Sequence, residues 1–255
     1  MNRRDVCCQL AATGLVEGAP TSAMPIPVDP VIPLFWFPTT SSHRPTNCLM
    51  PLPTVDLRPY FMPLVETEGV FDWSTMFGND HPVELDIGCG RGKFLCDSAM
   101  AHPETNWLGV ELNYTEGRRG AMRLAKRQLP NARVLGGDAH EMLRKRVEPH
   151  SVAAAHVYFP DPWWKRKHHK RRLFTDEFAD LLARVVKHGG YVHSWTDVGE
   201  YFEVISGLMN HHPEFTPQTP PPEPAGANDL DYLTNFHRRG RLAGSEIWRG
   251  LWLRR

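Results

Sequence analysis

The sequence predicts an α/β fold in which a mostly parallel, doubly wound sheet carries helices on both faces. Three observations predict it. From about residue 80, short apolar runs alternate with longer stretches of helical period. A glycine loop, Gly88-Cys89-Gly90-Arg91-Gly92, joins the first such run to the first helix. Acids stand at the ends of successive runs: Asp86, Glu111, Asp138, Asp161 and Asp197. Sheets of this kind bind ligands beyond the carboxyl ends of their strands, where the strand order reverses.

Each element has a local cause. Val83–Ile87 is short and apolar and meets glycine at once, which suits a buried strand. Lys93–Ala101 then starts a helix. Trp107–Glu111 reads as the second strand and Glu116–Gln128 as its helix. Arg133–Gly136 reads as the third strand, with a short helix after Asp138. Val152–Phe159 reads as the fourth. Thr175 can cap the next helix, with Asp176 and Glu177 in the first turn where the helix dipole favours negative charge. Gly189-Gly190 is expected to end that helix. Tyr191–Trp195 reads as the fifth strand, Val198–Met209 as a helix, Pro213–Pro224 as a proline-rich connection and Glu246–Leu253 as a late strand. Residues 56–255 thus make the folded domain. Residues 1–55, rich in Pro, Ser and Thr without a sustained period, read as a disordered extension. Arg3-Arg4 ahead of Val6–Val16 has the outline of an export signal, but Gln9, Thr13 and Glu17 spoil its apolar stretch.

At 255 residues the chain suits one domain with a tail, or at most two small ones. No apolar run approaches membrane-spanning length, so a soluble protein with no membrane partner is expected, and the odd number of cysteines fits a reducing, cytoplasmic setting. Five cysteines form no C-x-x-C pair, and the adjacent histidines lack the spacing of a helical metal site; neither a disulfide framework nor a bound metal is expected. Lys and Arg balance Asp and Glu at 29 each. The balance is global only. Residues 165–172 and the arginines at 238, 239, 241, 249, 254 and 255 are locally basic, and locality is what phosphate binding needs.

The stretch from Tyr158 to Arg172 is the most informative. Asp161 stands between Pro160 and Pro162; each proline fixes its own φ, and Pro162 pushes Asp161 out of the helical region. A stiff turn should therefore aim this carboxylate. Trp163 and Trp164 follow, as stacking platforms for a base or as core packing beneath the strand end. Six fixed cations then fall in eight positions, suited to phosphates or, more blandly, to a solvated helix face. The glycine loop lets backbone approach a ligand at a helix N-terminus, or serves as a tight turn. It is neither a P-loop, because Phe94 follows Lys93, nor a dinucleotide fingerprint, which needs glycine at Lys93. Glu111 could accept from ribose hydroxyls or be a solvated strand-end acid. Asp138 could accept from an adenine amino group or cap a helix. Asp86 could face an ammonium or brace the glycine loop. Acidic walls repel a pyrophosphate and attract a cation, so S-adenosylmethionine is favoured over NAD as cofactor.

These residues resemble the bacterial tRNA (guanine-N7-)-methyltransferases over residues 77–255. The matching pieces are Phe77-Gly78-Asn79, Pro82–Gly92, Trp107–Glu111, Gly137-Asp138-Ala139, Phe159–Lys165 with Lys170-Arg171-Arg172, Thr196-Asp197 and Thr234–His237. The resemblance implies a Rossmann-like class I methyltransferase fold using S-adenosylmethionine on tRNA, at a guanine of the variable loop. It implies cofactor contacts from Asp86, Gly88, Gly90, Glu111, Asp138 and Asp161, with Asp161 also catalytic. It implies substrate contacts from Lys165, Asp197, Thr234, Asn235, Phe236 and His237. Arg166, Lys167, Lys170, Arg171 and Arg172 are the expected tRNA phosphate contacts. The chain departs from the family pattern at Asp86 and at His237, where the family usually has Glu. The competing expectations are a methyltransferase for another RNA or a small molecule, and an RNA-binding protein without catalysis.

Overall fold

A computed structural model describes residues 55–223 and 232–255. The extension read over 1–55 therefore lies, but for Val55, outside the described residues, as does Pro224 of the proline-rich connection. In chain order the elements are β1 (Phe61–Pro63), α1 (Trp73–Phe77), β2 (Val83–Ile87), α2 (Lys93–Ala101), β3 (Asn106–Glu111), α3 (Tyr114–Arg127), β4 (Ala132–Gly136) and α4 (Ala139–Lys145). There follow β5 (Val152–Tyr158), α5 (Asp176–Val185), β6 (Val186–Thr196), α6 (Gly199–His211), β7 (Phe215–Gln218), α7 (Asn235–Leu242) and β8 (Trp248–Arg254). The sheet order is β1-β4-β3-β2-β5-β6-β8-β7, parallel from β1 through β6, with β8 and β7 antiparallel at one edge.

The expected doubly wound sheet is present. Leu95, Ala121 and Leu124 of α2 and α3 pack on one face with Trp107 and Val134. Met142, Phe178, Leu182 and Ile205 of α4, α5 and α6 cover the other, over Leu85, Ile87, Leu108 and Val157. Capping sets the helix starts. Asn113 Oδ1 accepts from the Thr115 and Glu116 N–H groups, so α3 begins at Tyr114, two residues ahead of the expected Glu116. Thr175 caps α5 as expected, its Oγ1 accepting from Phe178 N–H.

Gly189-Gly190 does not end α5, which stops at Val185. The glycines instead sit inside β6. There the pairing with β5 jumps from Val152↔Val186 to Ala154↔Tyr191, and Gly189 has φ 77°. A bulge and a helix end both demand a left-handed glycine, so the same dipeptide serves either. At Gly190 a Cβ would lie 2.5 Å from the Ala153 carbonyl oxygen. The proline-rich connection holds β7, with Pro217 tolerated because that strand is at the sheet edge.

The chain steps from β2 to β3 and β4 on one side, then returns to β5 on the other. The crevice left at the carboxyl ends of β2 and β5 is where a ligand site is expected. Among the described residues no helix is long and apolar enough to cross a membrane, and no group of three or more His, Cys, Asp or Glu side chains could hold a metal ion.

Candidate active site

A cavity of about 570 Å³ lies at that crevice. It gathers Asp86, Gly88, Gly90, Glu111, Asp138, Asp161, Arg171, Thr234, Asn235 and Phe236, ten of the residues expected at the site. Lys165, Lys167, Arg172, Asp197 and His237 do not line it. Lys165, Lys167 and Asp197 are exposed, whereas His237 is buried. The side chains of Arg166 and Lys170 lie outside the described ones.

The glycine loop is built by three left-handed residues, Gly88, Gly90 and Gly92, with φ of 79°, 52° and 62°. Gly88 and Cys89 donate their N–H groups to the Val110 carbonyl at 2.8 and 3.0 Å, tying the loop to β3. At Gly92 a Cβ would stand 3.2 Å from Gly120 Cα, so the loop also packs closely on α3. Glu111 completes the brace. Its Oε2 accepts from Gly90 N–H at 2.9 Å and its Oε1 from Asn113 N–H at 2.8 Å. Each oxygen keeps a lone pair for a further donor.

Asp86 is therefore not needed to hold the loop. It is 3% exposed, and among the described residues its Oδ2 has no hydrogen-bond partner. Burial, and then the charge of Glu111, push its carboxyl up to about 8; the Leu95 N–H pulls the other way without offsetting them. An unpartnered buried oxygen costs roughly 1–3 kcal/mol unless something satisfies it, and a cationic ligand would. Asp138 caps α4, its Oδ1 accepting from Glu141 N–H at 2.9 Å, and the residue also lines the cavity.

Asp161 is exposed on the cavity wall, on a segment bounded by strain. Phe159 (φ 54°) and Trp163 (φ 44°) are both left-handed, a conformation unfavourable for side chains of this size. Neighbours hold them there. Phe159 N–H donates to the Trp195 carbonyl at 2.7 Å, and Arg172 Nε–H donates to the Pro162 carbonyl at 2.8 Å. The Arg172 guanidinium also lies 4.8 Å from the centre of the Tyr201 ring. Arg172 thus faces inward and braces the turn. Neither tryptophan belongs to the buried core: Trp163 lines the cavity under Arg171, and Trp164 is 65% exposed.

The family model described as "Putative methyltransferase" matches residues 80–250. Three similar curated proteins are each named tRNA (guanine-N(7)-)-methyltransferase. The protein from Rhodopirellula baltica is 36% identical over 220 residues, 84% of this chain and 81% of its own. That from Streptomyces coelicolor is 40% identical over 184 residues (72% and 68%), and that from Thiobacillus denitrificans 36% over 197 (76% and 84%). The chain belongs to the tRNA (guanine-N7-)-methyltransferase family. Its sheet is accordingly the Rossmann-like class I methyltransferase fold.

Within this methyltransferase the departure at His237 has a structural explanation. The imidazole is 1% exposed and sits behind the cavity wall, edge-on to Trp195. Its Nδ1 accepts from Leu233 N–H at 3.2 Å, which leaves Nε2–H to donate to Glu223 Oε1 at 2.6 Å. Glu223 also pairs with Arg241, whose Nε lies 2.5 Å from Oε1. Hydrogen bonding to Arg241 foremost, and to His237, holds the Glu223 carboxyl at about 2 against the effect of burial. Thr234 caps α7 by accepting from His237 N–H at 3.0 Å, and the same turn carries Asn235 and Phe236 to the cavity. His237 therefore anchors the wall that its neighbours present. Sequence reading counted Arg239 only among the basic C-terminal arginines and missed Glu223 and α7 itself. Helical spacing from Phe236 to Arg239 was the available signal, but the segment buries only His237 and Gly240 and shows no apolar stripe.

His237→Ala should cost about 2–3 kcal/mol, for the emptied space and the stranded Leu233 N–H and Glu223 groups. A lowered urea midpoint with unchanged slope is the expected reading. His237→Gln, which keeps a donor, should recover part of the loss; an unaltered midpoint in the alanine variant would contradict the anchoring role.

Proposed function

We propose that this methyltransferase transfers a methyl group from S-adenosylmethionine to N7 of a guanine in tRNA, by family resemblance the guanine of the variable loop. One observation carries the reading: a single cavity joins the buried carboxyl of Asp86, whose Oδ2 has no partner among the described residues, to Asp161 on its wall, beside aromatic rings and two arginines that form no ion pair among the described residues. The residues suit this cofactor. Asp86 offers its free oxygen to the ammonium, Glu111 its remaining lone pairs to ribose hydroxyls, and Asp138 an acceptor to the adenine amino group. Acids here would repel a pyrophosphate, which disfavours a dinucleotide. When bound, S-adenosylmethionine supplies a methyl group made electrophilic by its sulfonium.

The chain's own work is positional and electrostatic. Guanine N7 has an in-plane lone pair and no proton, so no base is needed to make it a nucleophile. Positive charge grows on the purine as the methyl arrives. Asp161 accepts from the guanine N1–H and exocyclic amino group, fixing the base and offsetting that charge. Trp163 gives the base a face to stack on. The basic run after it, with Lys167 and Arg171 exposed, neutralises phosphates.

The decisive experiment incubates the full-length protein with an unmodified tRNA transcript and methyl-labelled S-adenosylmethionine, then maps the labelled nucleotide. Label recovered as 7-methylguanine from one position is expected. Label in another base, in a small molecule or nowhere would overturn the reading; the last result with tRNA still bound would indicate an RNA-binding protein without catalysis.

A further inference from the structure

The cavity is electrically divided. Asp86, Glu111 and Asp138 make the walls around the glycine loop acidic, whereas two separate segments, the turn after β5 and helix α7, each bring a guanidinium, Arg171 and Arg239. Among the described residues neither arginine forms an ion pair or a side-chain hydrogen bond. Arg241, two residues beyond Arg239 on the same helix, is by contrast committed to Glu223. Each cavity arginine instead lies over an aromatic ring that also lines the cavity: Arg171 is 5.1 Å from the centre of Trp163, and Arg239 is 5.1 Å from that of Phe236. Phe236 is 55% exposed, so the stacking does not bury the pair. Stacking on a ring restrains a guanidinium and leaves its in-plane N–H edge free. That edge matches two oxygens of a phosphate.

We propose that Arg239 is a phosphate-binding residue of the substrate site. It acts with Arg171 to hold the backbone phosphates flanking the nucleotide whose base enters the cavity. The assignment rests on the tRNA reading above and adds to it a contact outside the basic run. Two arms from different segments can hold the strand on two sides of one nucleotide, which a single run of cations cannot do. Since a guanine N7 in the cavity must stay aligned with the methyl donor, restraint on both sides limits the freedom of the base about its backbone.

Binding of unmodified tRNA transcript to the full-length protein, measured by filter retention across a potassium chloride series, tests this directly. Each phosphate contact contributes about 0.7–0.9 to the slope of log affinity against log salt. Extrapolated from 1 M, where the contact contributes nothing, to 0.15 M, one contact amounts to about four- to sixfold in affinity. Arg239→Gln should therefore raise the Kd for tRNA about four- to sixfold at 0.15 M and flatten the slope by just under one. Cofactor affinity should stay as in wild type, whereas kcat at saturating tRNA should fall along with the affinity for tRNA, because the base loses one of its two restraints. Arg239→Lys should restore the slope but not the full affinity, because it keeps the charge and loses the fork. Arg239→Met, which keeps an apolar stem over Phe236, should match Arg239→Gln and guards against a folding defect in that variant. A Kd and slope equal to wild type in both neutral variants would overturn the assignment, as would a loss confined to kcat or to cofactor binding. Failure of the wild-type protein to methylate tRNA would instead count against the proposed function, and leaves the binding measurement to be read separately.

Discussion

Asp161→Ala is expected to lower kcat for tRNA methylation by at least about a hundredfold, the usual loss when a preorganised group facing developing charge is removed. Cofactor affinity should change far less, because Asp86 and the glycine loop remain. The size of the effect follows from what the turn does. Proline on both sides, left-handed residues at Phe159 and Trp163, and the hydrogen bonds to Trp195 and Pro162 leave the segment little freedom. A carboxylate held this way does not have to reorganise as charge builds on the base. The residue is exposed, so its truncation creates no buried cavity and the fold should survive. Asp161→Asn separates charge from shape: it keeps the side-chain volume and one acceptor, and should lose most of the rate if offsetting charge is the main role. Single-turnover rates with saturating tRNA are the measurement. Turnover within a few-fold of wild type in the alanine variant would refute the assignment.

The regular half of the sheet was legible because its physics is local. β2 to β4 are apolar runs ended by glycine or acid, and a ligand site beyond the carboxyl ends of the strands follows from the alternation of strand and helix. That logic is why acids dispersed over 75 residues, from Asp86 to Asp161, could be assigned to one mouth. What escaped was short, polar or settled at long range. β1 has three residues, too few for a period. β7 carries Pro217, an argument against a strand that fails only at a sheet edge. In the same way the left-handed φ of Phe159 depends on the Trp195 carbonyl, and the role of His237 on Glu223, fourteen residues earlier within the proline-rich connection. Arg172 looks in sequence like one more cation of the basic run; only the tertiary structure turns it onto Pro162 and Tyr201. The spacing of charges reveals where a polyanion can bind, but not which of them are spent inside the protein.

Asp86 distinguishes itself by pH. With its carboxyl pushed up to about 8, the empty site is neutral there at pH 6, and a cationic ligand must displace that proton to gain the ion pair. Affinity for S-adenosylmethionine should therefore climb nearly tenfold per pH unit from 6 towards 8. It should fall again above that, as the ligand's own α-amino group deprotonates near its ordinary value of about 8. Stability should run the other way. Between about pH 4 and pH 8 the folded state holds a proton that the unfolded chain has released, so ν for the native state exceeds ν for the unfolded one and unfolding free energy declines as pH rises. This is the reverse of the behaviour of a salt-bridged carboxylate. Asp86→Asn removes the titrating group and keeps its shape. It should abolish the climb in affinity and, in the ligand-free protein, give a higher thermal midpoint than wild type at pH 8 and a smaller difference at pH 5. Calorimetric titration and thermal scans on the same two proteins read both effects. A wild-type affinity flat from pH 6 to 8 would mean that Asp86 is already ionised in the empty cavity, and the proton-coupled entry of the cation would fall with it.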